Sequence, residues 1–139
     1  MLPSVALALF VACGSTQADP GHPLAEPPGD PRGVSSGALG EATEQLERAH
    51  TLAREGQNSE AAALAREALE TRSLAYGNYS GEMAWTFVWV TDVYIRAGYL
   101  EDARRVALRA RDVGQRAELP EVVRIANRRL DKIAHLQSR

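Results

Sequence analysis

Residues 82–113 read EMAWTFVWVTDVYIRAGYLEDARRVALRARDV, and this stretch decides the fold. Met83, Phe87, Val90, Tyr94 and Ala97 recur at helical spacing, as the apolar stripe of an α-helix requires. Gly98 then offers a left-handed stop. Beyond it, Leu100, Ala103, Val106, Ala107, Ala110 and Val113 share one face of a second helix.

The same pattern extends outward. Residues 41–55 carry Ala42, Leu46, Ala49, Leu52 and Ala53 at helical spacing, with Gly56 as a stop and Asn58 and Ser59 as N-caps for the next run. Residues 60–76 are rich in alanine and leucine, strong helix formers. Gly77-Asn78 closes that helix and Ser80 caps the one after. Downstream, Pro120 suits a first helical turn, and Val122, Ile125, Ala126, Leu130, Ile133 and Ala134 form the stripe of a last amphipathic helix over 121–136. No run alternates with period two long enough for a strand. The expectation is an all-α fold of five helices joined by short turns.

The helices repeat. With Gly56 set on Gly98, an offset of 42 residues, Ala42 matches Ala84, Leu52 matches Tyr94, Ala61 matches Ala103, Ala65 matches Ala107 and Ala68 matches Ala110. Small residues let the second helix of a pair lie close on the first, and large ones fill the groove between pairs. Phe87, Val90, Thr91 and Tyr94 stand at the aromatic, Leu, Gly and Tyr positions of the tetratricopeptide (TPR) pattern, with Ala103, Ala107 and Ala110 at its downstream positions. In the first unit Gln45, Arg48 and Ala49 occupy the aromatic, Leu and Gly positions.

Residues 40–136 thus resemble the tetratricopeptide repeat family, in the longer period of the kinesin-light-chain type. The resemblance implies antiparallel helix pairs stacked as a short solenoid of about two and a half repeats. A longer loop, Leu74 to Glu82, would join the repeats, and the fifth helix would cap the stack. The alternative is an unrelated antiparallel helical bundle.

The N-terminal quarter has another composition. Residues 1–12, MLPSVALALFVA, are apolar and uncharged, too short to span a bilayer and suited to the apolar region of a signal peptide. Phe10-Val11-Ala12-Cys13 resembles a bacterial lipobox, which implies lipidation at Cys13, a mature chain starting there, and outer-membrane retention where an outer membrane exists, because Gly14 follows. The alternatives are an ordinary cleaved signal peptide, cut near Ala12 or Ala18 to give a soluble periplasmic or secreted chain, and a disordered cytosolic tail. Residues 13–37 hold Pro20, Pro23, Pro27, Pro28 and Pro31 with interspersed glycines. They read as a disordered tether, or as a proline-rich docking peptide. Three segments follow: 1–12 signal, 13–37 tether, 38–139 helical domain.

Charge and motifs bound the function. Sixteen Lys and Arg against eighteen Asp and Glu exclude a strongly basic nucleic-acid binder, and one cysteine excludes a disulfide scaffold. The halves of the domain differ in sign: residues 38–77 are net acidic and 78–139 net basic. His22, His50 and His135 are scattered without metal-ligand spacing, and no nucleophile elbow, phosphate-binding loop or zincin motif is present. No catalysis, metal or cofactor is expected.

In the resembled family the first helix of each pair faces a concave groove. If Phe87, Val90 and Tyr94 pack inward, then Trp85, Val88, Trp89, Asp92 and Arg96 lie partly on the groove face, with Thr43, Leu46, His50 and Arg54 at the matching positions of the first repeat. The tryptophans are either partner anchors or core against helices one and five. Arg124, Arg128, Arg129 and Lys132 of the fifth helix form a basic face, either simply solvated or docking an acidic partner or lipid headgroups. The expected function is a membrane-tethered, non-catalytic adaptor that binds a protein or peptide in the cell envelope. The alternatives are a self-associating envelope protein, hence a homo-oligomer, or a fragment of a longer repeat protein.

Overall fold

The computed structural model describes residues 33–139, so residues 1–12 expected as a signal peptide, Cys13 and most of the expected tether lie outside the described residues. Five helices follow one another: α1 (Ser36–Arg54), α2 (Asn58–Tyr76), α3 (Gly81–Ala97), α4 (Leu100–Arg116) and α5 (Pro120–Gln137). They pack as antiparallel pairs in a short helical solenoid, without strands among the described residues.

Helix α1 starts earlier than its apolar stripe because Ser35 caps it, its Oγ accepting from the Ala38 amide at 3.1 Å. Ser80 caps α3 in the same way, through the Met83 amide at 3.2 Å. Asn58 and Ser59 do not cap α2: both lie inside it, and Gln57 takes the cap position without a side-chain bond. The reason lies in the preceding turn. Gly56 is left-handed (φ 81°), and the Gln57 amide reaches back to the Leu52 carbonyl at 2.9 Å. This is the Schellman closure, which consumes the orphan carbonyls of α1 and starts α2 directly.

The closure recurs at Gly98 (φ 85°), where the Tyr99 amide bonds the Tyr94 carbonyl at 2.9 Å. It recurs again after α4, where the Leu119 amide bonds the Gly114 carbonyl at 2.8 Å and Glu118 takes the left-handed position (φ 56°). The α2–α3 connection differs. It is only Gly77–Ser80, shorter than the Leu74-to-Glu82 loop expected, because α2 runs through to Tyr76.

The core follows the repeat. Ala49, Ala61, Ala65 and Ala68 are buried in the first pair; Ala84, Ala103, Ala107 and Ala110 are buried in the second. Such small side chains allow the close antiparallel approach that each pair needs. Leu39, Leu46, Val90 and Val93 fill the first half, and Met83, Phe87, Val113 and Val122 the second. The α5 stripe is narrower than expected: Val122, Ala126 and Ile133 are buried, Ile125 and Leu130 half-buried, and Ala134 exposed.

The two seams next to this core are built differently. Between α2 and α3, Arg72 is fully buried. Its Nε donates to Thr86 Oγ1 at 2.8 Å, its Nη1 donates to Thr43 Oγ1 at 3.2 Å, and its guanidinium lies 5.0 Å from the Tyr76 ring centre. At the corresponding place in the second pair stands Gly114, where a Cβ would sit 2.9 Å from Val122 Cγ1. Glycine therefore lets α5 close tightly onto α4.

Candidate functional site

Helices α1, α3 and α5 share one side of the solenoid, and each presents a stripe of side chains there. On α3 the stripe is Trp85, Trp89, Asp92 and Arg96, four residues on successive turns. The tryptophans are half-buried and stacked, with ring centres 6.4 Å apart. Trp89 also receives the Arg72 guanidinium 5.9 Å from its ring centre. Each tryptophan packs on the core with one part and leaves another open, so neither reading of the pair, anchor or core, describes it alone.

Val88 is corrected. It is 4% exposed and packs with Met83, Ala84 and Val122, because it points a third of a turn away from the Trp85–Trp89 stripe. Leu46, in the matching part of the first repeat, is likewise core.

Below the tryptophans the stripe opens into a polar cleft of about 590 Å³. It brings together His50 and Arg54 from α1, Asp92 and Arg96 from α3, and Arg129 and Lys132 from α5. Ile95 and Leu136 supply its apolar lining. The four groove positions outside the tryptophan pair and Val88 therefore meet in one place. Two further cations come from the basic face of α5. Arg124, Arg128 and Lys132 are exposed and Arg129 is half-buried, and of these Arg129 and Lys132 line the cleft. A signal for this exists in the sequence. Ile125, Arg129, Lys132 and Leu136 repeat the spacing of Trp85, Trp89, Asp92 and Arg96, at an offset of 40 in place of 42.

The electrostatics are one-sided. Four permanent cations face one carboxylate, and that carboxylate is engaged: Arg129 grips Asp92 in a fork, with Nε on Oδ1 and Nη2 on Oδ2 at 3.2 Å. This ion pair bridges α5 to α3 and fixes one wall. His50 is half-buried. Burial lowers its pKa, the Asp92 carboxylate opposes that, and Arg54 and Arg96 reinforce it. With Asp92 already paired, three guanidiniums and an ammonium leave the cleft short of negative charge. Arranged this way, it can hold an anion by several charge-assisted hydrogen bonds at once.

Among the described residues no group of three or more His, Cys, Asp or Glu is placed to hold a metal ion, and no helix is long and apolar enough to cross a membrane. Comparison of the chain with protein-family models, with curated proteins and with solved structures gave no match.

Proposed function

We propose that this protein is a non-catalytic, tetratricopeptide-like adaptor that binds an acidic segment of a partner protein along the face of α1, α3 and α5. The observation that carries the reading is the cationic cleft of His50, Arg54, Arg96, Arg129 and Lys132 around the single, already paired Asp92. The stacked Trp85–Trp89 pair continues the same stripe and offers a flat apolar platform beside it. A peptide laid along the stripe would set carboxylates in the cleft and an apolar side chain on the indoles. Large aromatic and arginine side chains in this arrangement are the usual energetic centres of protein interfaces. The lipobox-like Phe10–Cys13 run supports attachment of the adaptor to a membrane of the cell envelope through lipid on Cys13, with residues 13–37 as the tether.

A fluorescein-labelled Glu-rich peptide tests the cleft, with its Gln-rich counterpart as control. The full chain is expected to bind the acidic peptide at least tenfold more tightly, less so at high salt, and Arg54→Glu with Arg96→Glu to abolish the difference. Equal binding of both peptides refutes the reading. Cys13→Ser tests the tether separately, by release of the protein from membranes; unchanged membrane partition refutes that part alone.

A further inference from the structure

The opposite side of the solenoid carries a second concavity, apolar where the first is charged. It is a groove of about 560 Å³ between α2 and α4, floored by Leu69, Phe87 and Val106. Leu74 stands on its α2 edge and is 64% exposed. Only Tyr79, at 53%, is comparable among the large hydrophobic side chains described, and it lies beneath the guanidiniums of Arg109 and Arg116. Leu74 has no such cover. Leu74 thus places an exposed apolar side chain directly at the lip of an apolar groove.

The rim has a pattern of its own. Glu70 lies one turn before Leu74 on the α2 wall, and Arg109 lies on the α4 wall. Arg105, also on that wall, is paired with Asp102. Neither Glu70 nor Arg109 forms an ion pair among the described residues, and the Arg109 guanidinium lies over the Tyr79 and Phe87 rings at the groove's edge. The patch thus sets an exposed leucine beside an apolar groove, with an acid on one wall and a base on the other.

We propose that this groove binds a second copy of the chain in a two-fold dimer. A two-fold contact requires one patch to match itself. With the axis beside Leu74, each copy lays its Leu74 into the other's groove and sets Glu70 against the other's Arg109. The face of α1, α3 and α5 stays clear, so a dimer would present two cationic clefts.

Sedimentation equilibrium of the full 139-residue chain, produced without lipid, tests this. Wild type is expected to pass from monomer to dimer across a hundredfold concentration range. Leu74→Asp, at an exposed position that leaves helix content unchanged by circular dichroism, is expected to weaken the dimer at least tenfold. Glu70→Arg and Arg109→Glu should each weaken it, and the two together should restore most of the loss. A chain monomeric throughout overturns the proposal, including one whose groove takes up a free apolar peptide instead. A dimer that Leu74→Asp leaves intact overturns it as well, as does a double charge reversal no better than the single ones.

Discussion

Arg72 and Gly114 occupy the same position of the repeat, 42 residues apart, and do opposite things there. Arg72 fills the seam between α2 and α3 with a buried guanidinium held by Thr43 and Thr86. Gly114 empties the seam between α4 and α5 so that Val122 can enter. One seam is polar and directional, the other apolar and close.

The polar seam should be costly to break and cheap to replace. Arg72→Ala leaves a cavity and strips two hydroxyls of a partner, for a loss of about 2–4 kcal/mol. Arg72→Met refills the space without a buried charge and should recover most of that. Urea midpoints of the two variants against wild type check it.

The apolar seam makes the reverse prediction. An alanine at a helical glycine ordinarily gains about 1 kcal/mol in helix propensity. Gly114→Ala should instead destabilise by about 1–2 kcal/mol, since its Cβ meets Val122 at 2.9 Å. Adding Val122→Ala should remove the clash, and thermal melts should show the double variant losing less than the two single losses summed.

The recurring turn gives a third. Glu118 holds the left-handed position that Gly56 and Gly98 hold elsewhere. Glu118→Gly relieves about 1–2 kcal/mol of backbone cost and gives part of it back as unfolded-state entropy, for a net gain of roughly 0.5–1 kcal/mol. Gly98→Ala should lose a similar amount. Chemical denaturation of both variants reads the two signs.

Asp92 separates stability from binding. Its pair with Arg129 is partly exposed, so Asp92→Asn should cost less than about 1 kcal/mol. The same change removes the only carboxylate of the cleft, and the acidic peptide should bind several-fold more tightly. Anisotropy titrations beside a denaturation curve measure both.

His50 sets a pH dependence whose sign is fixed. Its folded pKa lies below the ordinary 6.5 because burial disfavours the charged ring. Between those two values the unfolded chain binds more protons than the folded one. Stability therefore falls as pH is lowered through that window, and His50→Gln should flatten the fall. An anion in the cleft should raise the His50 pKa, seen as a shifted imidazole titration by NMR when the acidic peptide is added.

The helices were legible because Ala49, Ala65, Ala107 and their neighbours carry the helical period along with the stop glycines, and both are local signals. The α1 and α3 parts of the cleft were legible for the same reason, since one offset maps His50 and Arg54 onto Asp92 and Arg96. Arg129 and Lys132 escaped because the three-residue connection Ala117–Leu119 changes the repeat offset from 42 to 40, so their match to Trp89 and Asp92 is hidden at the offset that aligns the rest. Arg72 was invisible on a different ground. An arginine in an alanine-rich helix reads as solvated, and its two threonine partners come from helices on either side of it in sequence.

The stacked Trp85–Trp89 pair has an optical consequence. These are the only two tryptophans of the chain, and their ring centres are 6.4 Å apart at an interplanar angle of 29°. Indoles that near each other couple electronically, so the near-ultraviolet dichroism of the folded chain should carry a signal from this one spot. Anything that comes to rest on the stripe must perturb that coupling. The molecule is thus its own unlabelled detector, and candidate partners can be screened by the light they disturb.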